Sequence, residues 1–399
     1  MSKKYSLTVV ACSSGYVVQA IVNNFLPLLF VYFANAYKIP VYLISTIIAY
    51  NFIVQILVDM FSSSFIIKIG HRASCIFSGS VASIGVGILV ITPLIFSTYL
   101  SIYFGIMLAV TFMAVGSGLC EVLLSPILEA LPHENKSAKM SFIHSFYCLG
   151  YLILVLISTA FFVLFGVDKW YILALCLIVV PVAEILLFCF CPIVKPTGDD
   201  SKIKKTELFK NKRFILLFIL MIAAGASEQS IAQWASFYAE SGLKVSKTMG
   251  DLLGASVFAF FMFLSRLLHG FSGKKYNVAN LLTGCSIGLI VCYLLTVLQP
   301  NAILSLVFIS LIGFFVGIAW PGVYSIGGDL FSSGGTVMFS MLALGGDIGC
   351  TVGPSLIGFI ASGTNMNVGI LVSTIFPIIL FIGMIILKRT SKEELLKLR

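Results

Sequence analysis

The sequence predicts an all-α membrane protein of twelve transmembrane helices in two six-helix bundles. Three observations carry that reading. Of 399 residues, 59% are hydrophobic and 10% charged, with a mean hydropathy of +1.07, which leaves little polar chain for a soluble domain. The apolar residues gather into twelve stretches, each near the roughly 20 residues that cross a bilayer core, with short polar loops between most of them. The basic residues are also asymmetric. With the N-terminus cytoplasmic, all 25 Lys and Arg except Lys38, Lys169, Lys244 and Lys247 fall in cytoplasmic segments, as orientation in a membrane requires. The net charge of +9 is then a topology signal facing anionic lipid and calls for no nucleic acid. Both termini are expected inside, in an inner or plasma membrane.

The spans follow in order. The first, 6–34, runs past Phe25 into Tyr32 without a small-residue cleavage site, so it reads as a helix and not as a signal peptide. Gln19 and Asn23, four apart, share one of its faces, with Asn24 to one side. The second, 40–66, carries Asp59 and leads into Lys68-Ile-Gly70-His-Arg72; the third is 74–96. The fourth, 99–126, carries Glu121 in mid-helix. The fifth, 141–165, sets His144, Tyr147 and Tyr151 at i, i+3, i+7, a polar stripe expected opposite Glu121. The sixth, 170–192, opens at Trp170, read as an interfacial anchor, and holds Glu184, read as facing a peripheral helix. A polar, breaker-rich linker, 193–213, contains Pro196, Gly198, Asp199 and Asp200. It divides the chain into bundles 1–192 and 214–399.

In the second bundle the seventh span, 214–238, holds Glu228, Gln229, Gln233 and Trp234. The eighth and ninth, 251–269 and 279–298, flank a loop region with Arg266, Gly270, Gly273, Lys274 and Lys275. The tenth, 302–327, is expected to be weakened at Trp320-Pro321-Gly322, and a broken helix tends to line a pathway. The eleventh, 337–361, carries Asp347, Thr351, Gly353-Pro354 and Gly358, where glycine spacing favours close helix packing; the twelfth is 368–388. The ten cysteines sit in or at the ends of spans, without metal or disulfide spacing, and read as small polarizable packing residues.

The halves echo each other. Gln19 and, five on, Asn24-Phe25 match Glu228 and Gln233-Trp234; Ser145 to Gly150 matches Ser340 to Gly345. Parallel six-helix repeats point to a transporter with a site near midplane, at the interface of the halves.

These features resemble the major facilitator superfamily along the whole chain. The loop Lys68-Ile-Gly70-His-Arg72 is similar to the end of its signature, Asp-Arg/Lys-x-Gly-x-Arg/Lys, with Ile67 at the acidic position and Asp59 as the nearest substitute. The resemblance implies that Asp59, Lys68, Gly70, Arg72 and Arg266 serve a cytoplasmic gate. A narrower resemblance is to the fucose:proton symporter family. Its fourth helix reads Gly-x-Leu-Glu then Asn-Pro, against Gly118-Leu119-Cys120-Glu121 then Ser125-Pro126 here. Its first helix reads Asn-Asp before Leu and Pro, against Asn23-Asn24-Phe25-Leu26-Pro27. The family implies proton coupling through both carboxyls; one is kept as Glu121 and the other is Asn24.

A mid-membrane carboxyl is normally protonated, paired or water-facing, and a group able to take either form can load and release a proton. Glu121 is therefore the expected proton carrier, with Asp347 second. The structural alternative for Glu121 is a protonated acid bonded to a neighbouring helix. Gln19, Asn23, Asn24, His144, Tyr147, Glu228, Gln229, Gln233, Trp234 and Trp320 are the expected substrate contacts: amides offer donors and acceptors to hydroxyls, and rings stack on C–H faces. Interhelical hydrogen bonding is the alternative for the helix 7 cluster, a structural histidine for His144, and packing beside a kink for Trp320. No phosphate-cradling Gly-Lys-Ser/Thr loop, metal spacing or serine elbow is present, so an enzyme, ATP-driven transport, a metal and a cofactor are not expected. The expected partners are a small-molecule substrate such as a sugar, a proton and the lipid bilayer, with no nucleic acid, and the chain is expected to act as a monomer. The expected activity is proton-coupled symport of a small neutral solute. The rivals are efflux of hydrophobic compounds, facilitated diffusion and a non-transporting sensor.

Overall fold

In hydrocarbon no water can take up a free backbone N–H or C=O, so apolar stretches must close their own hydrogen bonds as helices. The computed structural model of the chain describes residues 5–132, 136–196, 205–271, 277–331 and 334–397, and among these every regular element is helical. Eleven of the described helices are long and apolar enough to cross a membrane. They are α1 (Ser6–Leu29), α3 (His71–Ile95), α4 (Tyr99–Glu129), α5 (Ala138–Phe165), α6 (Val167–Phe190), α7 (Lys212–Phe237), α8 (Gly250–Phe271), α9 (Val278–Leu298), α10 (Ala302–Leu330), α11 (Gly335–Ala361) and α12 (Met366–Arg389). The remaining expected span, α2, is one continuous helix over Val41–Ile69 whose apolar stretch is the shorter Thr46–Ser62.

Three prolines interrupt the helices, where a missing N–H leaves the carbonyl four residues back unpaired, whereas Pro93, Pro126 and Pro354 lie inside unbroken helices. Before Pro27, α1 leaves α-geometry at Asn24 and tightens into a 3-10 turn over Leu26–Leu29. Before Pro181, α6 interrupts at Ile178. Before Pro321, α10 interrupts between Val316 and Ala319, which places the expected weakness a few residues ahead of Trp320.

The chain divides into two compact units, Met1–His133 with Phe146–Pro196, and Glu134–Ser145 with Thr197–Arg399. The first turns of α5 therefore belong with the second unit, whereas 1–192 was expected to form one bundle. Of the linker, 197–204 lie outside the described residues, as do Gly273, Lys274 and Lys275.

In the first unit α3 and α4 are intimate neighbours, and α1 lies against α4 and α6. Its apolar core gathers Ile21, Phe25 and Leu29 from α1, Val86 and Leu89 from α3, and Ile106 and Val110 from α4. Trp170 joins this core: it is buried, meets the Phe33 ring at 5.4 Å and donates to the Tyr37 hydroxyl at 3.3 Å. It packs inside the unit, where its position had suggested an interfacial anchor. In the second unit α7 lies closest to α11. That approach needs glycine: a Cβ on Gly353 would come within 2.7 Å of the Ala226 carbonyl oxygen, and one on Gly349 within 2.1 Å of the Ile222 carbonyl oxygen. Large apolar side chains such as Leu94, Leu164 and Phe359 are exposed, as expected where lipid is the solvent.

Candidate functional site

Two polar clusters lie inside the apolar units, one in each. In the first unit Glu121 is buried, and Gln19 Nε2 donates to its Oε2 at 2.6 Å. One turn along α1, the Asn23 side-chain oxygen accepts from Asn51 at 3.2 Å, Gln55 at 3.1 Å and Ser117 at 3.3 Å. Ser117 also donates to the Gln55 amide oxygen at 3.0 Å. Asn24 donates to the Ala20 carbonyl and to the Tyr147 hydroxyl, at 2.9 and 3.2 Å. Tyr16 and Ser125 share a bond of 3.0 Å. Gln19 and Asn23 thus share a face as their spacing required, and α1, α2, α4 and α5 together build a network of amides and hydroxyls around one carboxyl.

The helix 2 members, Asn51 and Gln55, were not singled out from the sequence. The signal was there: Asn51, Gln55 and Asp59 stand at i, i+4, i+8 in an otherwise apolar helix, which aligns them on one face. Asp59 is fully buried in α2. Gly70 joins α2 to α3 at φ +95°, a backbone region in which a side chain is strained. Lys68 is exposed in the last turn of α2. Arg72 donates to the carbonyls of Phe188, Cys189 and Cys191 at 2.8, 2.6 and 2.8 Å, a cation closing the C-terminal end of α6.

In the second unit the cluster is ionic. Arg266 was expected among loop residues; it lies inside α8, buried, and its Nη2 meets Glu228 Oε2 at 2.9 Å. Its Nε donates to the Gly317 carbonyl at 2.5 Å, the carbonyl that Pro321 leaves unpaired, and its Nη1 to the His144 carbonyl at 3.1 Å. A buried guanidinium is tolerable because Glu228 neutralises it and the two carbonyls use its remaining donors. His144 groups with the second unit, where its ring meets Tyr324 edge-on at 5.8 Å; Tyr147 and Tyr151 continue the same uninterrupted helix and group with the first. Nearby, His269 Nδ1 and the Ser141 hydroxyl are 2.5 Å apart.

Gln233 donates to Gln229 at 2.9 Å across one turn of α7, and Trp234 Nε1 to the Pro354 carbonyl at 3.0 Å. The Trp320 ring lies over Gly346 of α11 and 6.2 Å from Tyr324. Asp347 is buried in α11. All ten cysteines are free thiols, and the described residues contain no group of three or more His, Cys, Asp or Glu able to hold a metal.

The sequence profile of the Major Facilitator Superfamily matches residues 12–354. A search of curated proteins finds no match. Among solved structures, the fucose:proton symporter FucP of E. coli superposes with a TM-score of 0.75 at 14% identity, over 96% of this chain and 99% of that one. The proton:xylose symporter XylE gives 0.74 at 13% identity, over 96% and 95%. The human organic anion transporter MFSD10 gives 0.73 at 12%, over 95% and 98%. At these identities the likeness is one of fold.

Proposed function

The chain belongs to the Major Facilitator Superfamily, and from that premise we propose that this multi-pass membrane transporter is a proton-coupled symporter of a small neutral polar solute, a monosaccharide being the fitting class. It works by alternating access in the inner or plasma membrane, with both termini cytoplasmic. Glu121 carries the coupled proton. The observation that carries this reading is the 2.6 Å bond from Gln19 to Glu121, set beside the amides of Asn23, Asn51 and Gln55. An ionised Glu121 only accepts, as it does from Gln19; a protonated one adds an O–H donor that needs an acceptor among the neighbouring amides. Proton occupancy thereby sets which amide groups are offered to a solute. Gln19, Asn23, Asn24 and Tyr147, with His144, Glu228, Gln229, Gln233, Trp234 and Trp320, supply the polar and aromatic contacts, and Asp347 is the second proton site. Asp59, Lys68, Gly70, Arg72 and Arg266 serve the gate.

A second reading, an anionic organic substrate of the kind named for MFSD10, is favoured by the buried guanidinium of Arg266. It ranks lower because Glu228 already neutralises that charge and two carbonyls use further donors.

The test is uptake of labelled monosaccharides and organic anions into proteoliposomes, with and without an inward proton gradient. One sugar should accumulate only with the gradient. Glu121→Gln should lose at least about tenfold in accumulation, a change of about 1.4 kcal/mol in the driving equilibrium, and keep exchange of substrate across the membrane. Full accumulation by that variant would refute the role of Glu121, and gradient-driven uptake of anions alone would replace the sugar reading.

A further inference from the structure

Glu184 plays no part in the network around Glu121, yet it is as deeply placed as any charged residue in the first unit. It lies in α6, fully buried. Its Oε1 accepts from the Cys120 thiol at 3.3 Å, and its Oε2 has no hydrogen-bond partner. The two helices facing it both carry glycine at the point of approach. A Cβ on Gly15 of α1 would stand 3.1 Å from Oε1, and one on Gly79 of α3 would stand 3.3 Å from Oε2. The carboxyl occupies a notch that larger residues would close.

A lone carboxylate in this position would cost several kcal/mol, because one thiol is a weak donor and no cation bonds to it. A neutral acid has the opposite need, an acceptor for its own proton. The hydrogen-bond chain beside it meets both needs. Cys120 Sγ and Ser78 Oγ are 3.0 Å apart, and the Ser78 hydroxyl donates to the Gly116 carbonyl at 2.8 Å. With the serine proton committed there, the thiol proton is the one free to turn. It points to Oε1 when Glu184 is ionised. When Glu184 is protonated, the acid donates to sulfur and the thiol donates to Ser78. One rotation about the Cys120 C–S bond accommodates gain or loss of a proton without moving a helix.

The surrounding ionisable groups do not take over this role. Cys12 on α1, Cys75 on α3, Cys120 on α4 and Cys191 just beyond α6 are buried free thiols. Tyr16 of α1 is bonded to Ser125, and Glu121 of α4 to Gln19. At the start of α3 His71 is buried, and Arg72 is spent on three carbonyls at the end of α6. Cys176, in the first half of α6, is exposed.

We propose that Glu184 is a proton-binding site of the first unit, with the Cys120–Ser78 pair stabilising its charged and neutral forms in turn. The site stands independently of the substrate and of the role given to Glu121. The test is infrared difference spectroscopy of the full-length protein in liposomes, stepped in pH without substrate. A carboxylic-acid C=O band should grow as pH falls, vanish in Glu184→Gln and persist in Glu121→Gln. Cys120→Ser retains the carboxyl and offers a stronger O–H partner, so it should shift that band to lower frequency. This second variant identifies the band even if Glu184→Gln fails to fold. A Glu184 band that ignores pH across the range in which the protein stays folded would mean a permanently protonated packing acid and overturn the proposal. So would the absence of any band that responds to either variant.

Discussion

In the first unit Gln19 donates to the carboxyl of Glu121, and one turn along α1 Asn23, Asn51, Gln55 and Ser117 bond to one another, all groups that carry no charge. In the second, Glu228 is matched to the guanidinium of Arg266, which is itself pinned to two carbonyls. Both arrangements satisfy polar groups in an apolar interior, but they differ in how readily they rearrange. Amides and hydroxyls can exchange donors for acceptors at a cost of about 0.5–1.5 kcal/mol per bond. Separating a buried ion pair strands a charge and costs about 3–5 kcal/mol. The first cluster is suited to a group whose protonation changes, the second to holding elements together.

Removing one charge from the second unit should therefore produce the largest effect. Arg266→Met leaves Glu228 uncompensated and the Gly317 and His144 carbonyls unfilled. It should cost about 3–5 kcal/mol, read as a lower thermal midpoint of the purified protein. Adding Glu228→Gln should return a large part of that loss. If Arg266→Met alone is neutral, the ionic cluster is not the rigid one.

Asn23→Ala should cost less, about 1–3 kcal/mol, because Asn51, Gln55 and Ser117 lose an acceptor they share. Asn23→Asp, which keeps the acceptor oxygen, should recover much of the stability in the same melting assay. A loss from Asn23→Ala as large as that from Arg266→Met would erase the contrast between the units. The smallest effect is expected at Trp234→Phe, which keeps the ring and removes one hydrogen bond to the Pro354 carbonyl. It should lower stability by about 0.5–1.5 kcal/mol.

Many members of the two buried polar clusters were readable residue by residue. Glu121, Gln19, Asn23 and Asn24 stand out because a polar side chain in an apolar helix is costly, and Gln229 and Gln233 meet as their i, i+4 spacing requires. Asn51 and Gln55 obeyed the same rule and could have been found by it. Other partnerships leave no local trace. The Glu228–Arg266 pair joins residues 38 positions apart, and Glu184 meets Cys120 across 64. Arg266 was grouped with loop residues by its resemblance to the basic positions of the signature loop, although it falls within the span 251–269. Only the neutralising carboxylate on α7 makes its burial affordable.

The order of the spans and the break ahead of Trp320 were legible in the sequence alone. Each rests on a rule local to a few residues: the length that crosses hydrocarbon and the missing N–H of Pro321. The tertiary structure decided which polar groups meet. That choice depends on the rotation and depth of every helix at once, set by contacts such as Gly353 against Ala226 or Gly15 beside Glu184. It put a cation beside Glu228, an amide beside Glu121 and a thiol beside Glu184, and so separated three carboxyls that look alike in sequence.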